Sequence, residues 1–268
     1  MIILVSNDDG IQAEGIRRLT EALSVKGDVY VFAPDKQRSA SSHALSVHDT
    51  IKVTKTDFPK AKEAYQLSGT PADCVKLGID ILRRKGLCPD IIYTGINHGA
   101  NLGTDTMYSG TVSAAAEGAF AGFPAVAVSV CDHFPSYFEG ACHLAVNLFE
   151  DALKLKGEKV VLSINTPNIP ACDIKGVRVA RLGSMIYDEW FESLEPEKVA
   201  EMDWTDENDN GETSMLYQYS GSPAYQEDQE EDIDIRLISE GYATVSMVKY
   251  DLNDYEGLEK IKTWEIGL

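Results

Sequence analysis

Buried strands and helices alternate along the first two-thirds of the chain, and this alternation constrains the fold more than any other feature. Short apolar runs rich in β-branched residues predict strands at "MIILVS", "DVYVFAP", "DIIYTG", "AVAVSV" and "KVVLSIN". Helical spacing between them predicts helices over 14–26, 71–84, 110–121 and 137–155. Strands connected through helices pair in parallel, so we expect an α/β fold: a Rossmann-like, doubly wound and mostly parallel sheet with helices on both faces.

The last third of the chain departs from this pattern. "VRVARLG" and "MLYQYSG" have the character of strands in an antiparallel arm, and a strongly acidic segment lies between them. "IDIRLISEGYATVSMVKYD" predicts a helix or turn followed by a strand that rejoins the sheet, and 254–264 predicts a short helix. We therefore predict a core over 1–170 and, over 171–268, an arm, a returning strand and a C-terminal tail.

The charge of the chain argues against several classes of partner. Its 43 acidic and 24 basic residues give a formal net charge of −19. Binding to nucleic-acid polymers or to anionic membranes normally needs clustered Lys and Arg, so we expect neither partner. A small phosphorylated substrate stays open, provided that a metal ion or a helix N-terminus offsets the acidity.

Other features of the sequence predict a cytoplasmic protein. No apolar run approaches the roughly 20 residues of a membrane span, and the first strand begins at residue 2, which leaves no room for a signal peptide. The five cysteines contain no CxxC pair, and most lie in apolar segments, as is typical of a reducing compartment.

Two adjacent carboxylates follow the first predicted strand, in "VSNDDG". Doubly wound sheets bind ligands at the carboxyl ends of their strands, and Asp8 and Asp9 stand at such an end. Because like charges at adjacent positions repel each other, something must compensate them. A solvated surface turn and a bound cation are both compatible with this pattern.

A glycine-rich loop and a hydroxyl-rich loop follow two other predicted strands. In "YTGINHGANLGTDTMYSGTVSAAAEG", over 93–118, the glycines let backbone amides turn toward a ligand. Ser109 or Thr111 can cap the helix that begins there, and the N–H groups of its first turn can hold a phosphate without Lys or Arg. The polar loop "PDKQRSASSHALS", over 34–46, is long for a simple connection.

Several segments together resemble the SurE family, the stationary-phase survival nucleotidases. The segments that carry the match are "VSNDDGIQAEGI", "RSASSHALS", "LSGTPADCVKLG" and "TGINHGANLGTDTMYSGTVSAAAEG". A further segment, "LSINTPN", agrees with the strand and proline turn that are usual there. The resemblance is continuous over about residues 1–170 and looser beyond. It implies a metal-dependent phosphohydrolase that acts on nucleoside monophosphates.

The resemblance also implies roles for individual residues. It implies one divalent ion per subunit, Mg²⁺ or Mn²⁺, for which an all-oxygen ligand set is suitable. The ligands implied for this ion are Asp8, Asp9, Ser39 and Asn97. The phosphate contacts that we expect are Asn101, Ser109, Gly110 and Thr111. Asp105 is the candidate for a general acid, or for a residue that orients the nucleophile. His98, beside the implied ligand, could face the nucleotide or the surface.

The expected reaction is hydrolysis of a nucleoside 5′-monophosphate to nucleoside and phosphate by a metal-activated water. Side activities as a 3′-nucleotidase or an exopolyphosphatase stay open, as does the preferred base. Tyr65, Tyr108 and Phe134 could each stack on a base or pack against protein. The resemblance further implies a homodimer or homotetramer with exchanged C-terminal elements, for which 178–219 and 254–268 are the candidates.

Several positions depart from the family pattern. Ala40 stands where a glycine often follows the loop serine, and Glu14 replaces a common proline. Lys249 stands where the family often has a histidine, so a histidine proton donor from the tail is in doubt. A catalytically degenerate SurE-like protein that binds metal or nucleotide is therefore the alternative hypothesis.

Two other classes of protein also place aspartates after a first strand. Response-regulator receivers need a phosphoaccepting Asp after a third strand and a Lys downstream, and the sequence supplies neither. Phosphatases with an Asp nucleophile usually separate their first two aspartates by one residue, whereas Asp8 and Asp9 are adjacent. We therefore expect hydrolysis without a phosphoenzyme.

Overall fold

The computed structural model describes residues 1–188, 191–194, 215–224 and 230–264. The strands of the first two-thirds are β1 (Ile2–Ser6), β2 (Asp28–Pro34), β3 (Val53–Thr56), β4 (Glu63–Leu67), β5 (Ile91–His98), β6 (Ala125–Val130) and β7 (Val160–Thr166). They are followed by β8 (Val177–Val179), β9 (Ile186–Asp188), β10 (Phe191–Ser193), β11 (Tyr217–Tyr219), β12 (Ser222–Ala224) and β13 (Ala243–Lys249).

The helices in the described ranges are α1 (Glu14–Leu23), α2 (Pro71–Arg84), α3 (Gly110–Phe120), α4 (Glu139–Asn147), α5 (Phe149–Leu153), α6 (Asp234–Ser239) and α7 (Tyr255–Ile261). Short 3-10 helices span Gly103–Met107 and Ala171–Asp173. Within these ranges, no helix has both the length and the apolar character needed to cross a membrane.

A nine-stranded sheet forms the centre of the fold, in the order β3-β4-β2-β1-β5-β6-β7-β13-β8. The strands from β4 to β7 in this order are all parallel to their neighbours. β3 pairs antiparallel with β4 at one side, and β13 pairs antiparallel with β7 toward the other. The predicted α/β class, with a mostly parallel sheet, is confirmed.

Helices cover both faces of the sheet, as a doubly wound fold requires. Apolar residues of α1, α4 and α5 pack in one buried cluster, and those of α2 pack in another on the opposite face, beside α3. Successive residues of β1 serve opposite faces: Ile3 and Val5 belong to the first cluster, whereas Leu4 belongs to the second. Both faces of β1 are therefore buried, which explains its unbroken apolar sequence.

The structure corrects two of the predicted elements in the core. β3 and β4 lie between β2 and the second predicted helix, where no further strand was expected, and β4 extends the parallel sheet beyond β2. The single helix predicted over 137–155 is two helices, α4 and α5, which meet at Leu148. The other predicted strands and helices of the core are confirmed, with ends shifted by a few residues.

The antiparallel arm is present, but it begins later than predicted. β9 pairs with β12 and β10 pairs with β11, each antiparallel. β8, which supplies the "VRV" of the first predicted arm strand, instead pairs in parallel with β13 in the main sheet. Much of the acidic segment, at 189–190, 195–214 and 225–229, and the end of the tail, at 265–268, lie outside the described residues.

Candidate active site

The strand order of the sheet reverses between β1 and β5, and the implied metal ligands lie at that point. β2 flanks β1 on one side and β6 flanks β5 on the other, so the connections leave β1 and β5 in opposite directions. Asp8 and Asp9 follow β1 there, and Asn97 lies near the end of β5. These three residues thus share the carboxyl edge where doubly wound sheets bind ligands.

Asp8 is held against the first turn of α3. Its side chain is only 5% exposed. The Thr111 hydroxyl donates to Asp8 Oδ1, and the Thr111 backbone N–H also hydrogen-bonds to this carboxylate. Burial, followed by repulsion from Asp9, raises the pKa of Asp8 to about 7 in spite of these hydrogen bonds. A positive charge at this position would favour the ionised form.

Asp9 is fixed by a different set of donors. The backbone N–H of His98 donates to Asp9 Oδ2 at 2.9 Å. Gln37 Nε2 lies 3.5 Å from Asp9 Oδ1 and donates to Ser39 Oγ at 2.8 Å, so Gln37 links two of the implied ligands. Burial raises the pKa of Asp9 as well. Gln37 was not predicted from the sequence, although it lies two residues before Ser39 in the same polar loop.

Asn97 is oriented by an irregularity in β5. The pairing of β5 with β6 shifts its register between Thr94 and Asn97, as at a β-bulge. Gly95 makes this possible, because its φ is +120° and a Cβ there would lie 2.1 Å from the Val128 carbonyl oxygen. Asn97 Nδ2 donates to the Gly99 carbonyl oxygen at 3.0 Å. The side-chain oxygen of Asn97 is then the atom suited to bind a cation.

The N-terminus of α3 forms the other wall of the site. Ser109 is its N-cap residue, and Ser109 Oγ accepts the N–H of Val112 at 3.0 Å. A Cβ at Gly110 would lie 2.8 Å from Asp8 Oδ2 and 2.9 Å from Ser41 Oγ. Only glycine therefore allows the helix to approach the acidic pair this closely. Ser109, Gly110 and Thr111 are brought together with Asp8, as predicted phosphate contacts next to a predicted metal ligand.

The loop that carries Ser39 is fastened at its far end. His43 Nε2 lies 2.7 Å from Glu117 Oε1, a buried carboxylate on α3 that also accepts from Lys76 at 2.8 Å. Ser42 Oγ donates to the Met107 carbonyl oxygen at 2.9 Å, at the turn that leads into α3. The loop is thus tied both to α3 and to the turn that precedes it.

The donor chemistry of the site fits a hard divalent cation. Among the described residues, no Lys, Arg or His forms an ion pair with Asp8 or Asp9, so the buried Asp8 and the partly buried Asp9 have no cationic partner there. Ser41 Oγ, which approaches Gly110 from the same side, is buried without a hydrogen-bond partner in the described part of the chain. Within the same ranges no group of three or more His, Cys, Asp and Glu side chains is arranged to hold a metal ion. The candidate set here has only two carboxylates, completed by neutral oxygens.

Asn101 lies at the same edge of the sheet but is engaged in a buried network. Its Nδ2 donates to Ser129 Oγ at 2.8 Å, and its backbone N–H donates to Asn165 Oδ1 at 3.0 Å. Asn165 Nδ2 returns a hydrogen bond to the Asn101 carbonyl oxygen at 3.1 Å. Asn101 thus contacts the end of β6 through its side-chain amide and the end of β7 through its backbone, and its role as a phosphate contact stays a prediction.

Asp105 lies in the 3-10 helix Gly103–Met107, just before α3. The hydroxyl group of Tyr187, on β9 of the arm, donates to Asp105 Oδ2. The pKa of Tyr187 is raised, first by burial and then by this hydrogen bond, so the hydroxyl keeps its proton. Tyr187 was not predicted from the sequence, because 82 residues separate it from Asp105.

Two basic residues that the sequence placed near the site have other positions. The His98 ring packs against Phe138, with ring centroids 5.6 Å apart, and burial lowers its pKa. It is therefore the backbone of His98, not its ring, that serves Asp9. Lys249 pairs with Val160 at the beginning of β7, on the edge of the sheet opposite to Asp8. Within this chain Lys249 lies too far from the site to act as the missing proton donor.

The three aromatic residues considered for base stacking differ in their exposure to solvent. Tyr65 packs inside the protein, stacked on Phe32 with ring centroids 4.9 Å apart, so it is a core residue. Tyr108 is 62% exposed beside the N-cap of α3, and Phe134 is 89% exposed in the loop after β6. Only Tyr108 and Phe134 can therefore offer a ring to a ligand.

Known proteins are similar to this chain along nearly all of its length. The family model described as Survival protein SurE matches residues 3–189. The 5′-nucleotidase SurE of Pelotomaculum thermopropionicum is 38% identical over 263 residues, which cover 98% of this chain and 94% of that protein. The 5′-nucleotidase SurE of Aeromonas hydrophila is 39% identical over 269 residues, with 98% of both chains covered. The crystal structure of the SurE protein from Aquifex aeolicus matches with a TM-score of 0.79 at 32% identity, again over 98% of both chains.

Proposed function

Because the chain belongs to the SurE family, we propose that it hydrolyses nucleoside 5′-monophosphates to nucleoside and phosphate with the help of one divalent metal ion. The observation that carries this proposal is the contact between Asp8 and the first turn of α3. It joins a candidate cation ligand to a candidate phosphate site. The relatives described as 5′-nucleotidases support the choice of substrate.

The metal would be Mg²⁺ or Mn²⁺, held by Asp8, Asp9, Ser39 and Asn97. When bound, such an ion lowers the pKa of a coordinated water and offsets the negative charge of the phosphate. The chain's own contribution is to fix these ligands. Thr111 holds Asp8 by hydroxyl and backbone, while the His98 N–H and Gln37 hold Asp9. Ligands that are already oriented need not be reorganised when the substrate arrives.

The phosphate would lie at the N-terminus of α3. The positive end of the helix dipole attracts anions without a lysine or an arginine. This matters in a chain with a net charge of −19, because a small anionic substrate must approach an acidic protein. In this structure the N–H groups of Thr111 and Val112 are bonded to Asp8 and to Ser109 Oγ, so a phosphate would share the first turn of α3 with them. Gly110 has no side chain, so the Asp8 carboxylate can lie directly against this turn, beside the proposed phosphate position.

Proton transfer completes the reaction. When a water oxygen attacks phosphorus, the bond between phosphorus and the ribose oxygen breaks, and the departing oxygen must receive a proton. Asp105 is the candidate donor for this proton, or the residue that orients the attacking water. Tyr187 donates to Asp105 Oδ2, so Oδ1 is the oxygen suited to carry the proton.

The proposal extends to assembly and location. A homodimer or homotetramer with exchanged C-terminal elements is supported by α7, which has no buried residue and carries the exposed apolar residues Leu258 and Ile261, followed by Trp264. We expect no nucleic-acid or membrane partner and a cytoplasmic protein. The same phosphate-release assay, run with 3′-nucleotides and polyphosphate as substrates, tests these side activities.

Phosphate release from a panel of nucleoside monophosphates tests the proposal. Metal-stripped protein should be inactive, Mg²⁺ or Mn²⁺ should restore release, and Asp9→Asn should abolish it. Asp28→Asn is the matched control, because Asp28 is an exposed carboxylate at the opposite edge of the sheet. No release from folded, metal-binding wild-type protein would instead favour the degenerate binding protein. A trapped phosphoenzyme would overturn the proposed direct attack by water.

A further inference from the structure

A group of tyrosine rings lies where the arm meets the 3-10 helix Gly103–Met107. Tyr187 and Tyr219 lie edge to face, with ring centroids 6.2 Å apart and an interplanar angle of 60°. Tyr108 is the C-cap of the 3-10 helix whose Asp105 accepts the Tyr187 hydroxyl, so Tyr108 and Tyr187 adjoin the same short segment. Tyr108 and Tyr219 are 62% and 54% exposed, so much of their surface is open to a ligand.

Hydrogen bonds at the base of the arm fix these rings relative to α3. Thr104 Oγ1 donates to the Met185 carbonyl oxygen at 3.2 Å and accepts the Met185 N–H at 3.1 Å. The carboxylate of Asp234, which is 1% exposed, accepts the N–H of Gly103 at 2.8 Å and that of Gly183 at 2.9 Å. The arm is therefore fastened to the same short segment that leads into the phosphate site.

Tyr108 also adjoins the N-terminus of α3 and the loop that carries Ser39. Tyr108 directly precedes Ser109, the N-cap of α3. The Ser42 N–H donates to the Tyr108 carbonyl oxygen at 3.1 Å, so the loop that carries Ser39 packs on this turn. A phosphate at α3 would thus have Tyr108 as its immediate aromatic neighbour, with Tyr187 beyond it.

We propose that Tyr108, Tyr187 and Tyr219, which we call the tyrosine wall, form the subsite for the base of the nucleotide. This inference rests on the proposed function and adds the part of the substrate that the metal and α3 do not hold. A planar base can stack on an aromatic ring whatever its identity, and the tyrosine hydroxyls offer polar contacts at its edge. The subsite therefore takes purines and pyrimidines alike, with a larger stacking gain for purines.

The test compares AMP with ribose 5-phosphate, which carries the same phosphate and sugar but no base. The measured quantity is the ratio of kcat/KM for AMP to kcat/KM for ribose 5-phosphate. Tyr108→Ala and Tyr219→Ala should each lower this ratio about tenfold, chiefly through the KM for AMP. Tyr255→Ala is the matched control, since Tyr255 is 64% exposed on α7 and distant in sequence from the wall.

Inhibition by adenosine gives a second measurement that does not depend on turnover of AMP. Adenosine should inhibit hydrolysis of ribose 5-phosphate by the wild type and Tyr255→Ala, and about tenfold more weakly in Tyr108→Ala. An unchanged ratio and unchanged inhibition in both wall variants would overturn the tyrosine wall. If Phe134→Ala instead lowers the kcat/KM ratio and weakens inhibition by adenosine, the base binds beside the loop after β6 and the tyrosine wall is overturned. If wild-type protein hydrolyses neither compound, the proposed function itself fails, and the two failures are thereby distinguished.

Discussion

The candidate metal site and the arm are held in place by different physical means. At the metal site, Asp8 is 5% exposed, Asn97 is 9% exposed and Thr111 is fully buried, so the core of the protein fixes their positions. In the arm, Phe191 and Tyr219 are 62% and 54% exposed, and the strands are only three residues long. The placement of the arm depends on a few hydrogen bonds at its base, and we expect it to open at a lower free energy than the core.

This contrast assigns separate tasks to the two regions. Chemistry on a phosphate needs ligands placed within a fraction of an ångström, which a packed core provides. Recognition of the base tolerates movement, and a surface arm can provide it. Variants at the metal site should therefore lose activity with the fold intact, whereas variants at the arm should change local stability or selectivity.

The largest effect should come from adding one methyl group at Gly110. In Gly110→Ala the new Cβ would lie 2.8 Å from Asp8 Oδ2 and 3.0 Å from Asp8 Cβ, so the carboxylate must move. We expect kcat/KM for AMP to fall on the order of a thousandfold, while circular dichroism stays that of the wild type.

Gly140→Ala makes the same substitution near the start of α4, where the one close neighbour of the new Cβ is the end of the flexible Ile174 side chain, 2.5 Å away at Cδ1. That control should lose some thermal stability and keep its activity. Equal activity in Gly110→Ala and Gly140→Ala would contradict the close approach of α3 to the acidic pair.

A smaller effect concerns the pH dependence of the metal-stripped protein. Folding raises the pKa of Asp8 to about 7, whereas an unfolded aspartate titrates near 4. Between these values the folded protein keeps a proton that the unfolded chain has released. The free energy of unfolding therefore falls as the pH rises through this window, by a few kcal/mol.

Thermal melts of metal-stripped protein from pH 4 to pH 8 measure this dependence. Mg²⁺ or Mn²⁺ should raise the melting temperature more at pH 8 than at pH 5, because the cation takes the place of the proton. Asp8→Asn should flatten the profile relative to the wild type, and Asp28→Asn should not. A profile of Asp8→Asn that overlays the wild type would count against the buried, uncompensated carboxylate.

The arm should respond to a change at its base. Asp234 accepts the N–H groups of Gly103, Gly183 and Ile235, and burial raises its pKa. Asp234→Ala leaves those donors without their acceptor and should cost on the order of 2 kcal/mol. Hydrogen exchange should accelerate at Gly103 and Gly183 and stay slow in β1 and β5. Uniform acceleration throughout the sheet would show that the arm and the core unfold together.

The parts of the molecule that could be predicted from sequence are those governed by local pattern. β1 and β6 are buried on both faces and have continuous apolar sequences, and Asp8 and Asp9 follow from the position of a turn at a strand end. β3 is exposed and polar, so it had no such signal. Tyr187 reaches Asp105 only through tertiary structure, and the wall that includes it depends on how the arm docks. Such contacts between distant segments leave no periodic trace in one sequence.

The smallest expected effect is at Ala40, in the loop that carries Ser39. Its φ is +53°, a left-handed conformation that costs an L-residue roughly 1–2 kcal/mol. Ala40→Gly removes this strain but gives the unfolded chain more freedom, which offsets roughly 0.4–1 kcal/mol. We expect a net gain of about 0.5 kcal/mol in chemical denaturation. Ala44→Gly, at a position of ordinary φ in the same loop, has no strain to relieve and should lose stability. If both variants lose stability equally, Ala40 is not strained, and the departure from the family's usual glycine has no conformational cost.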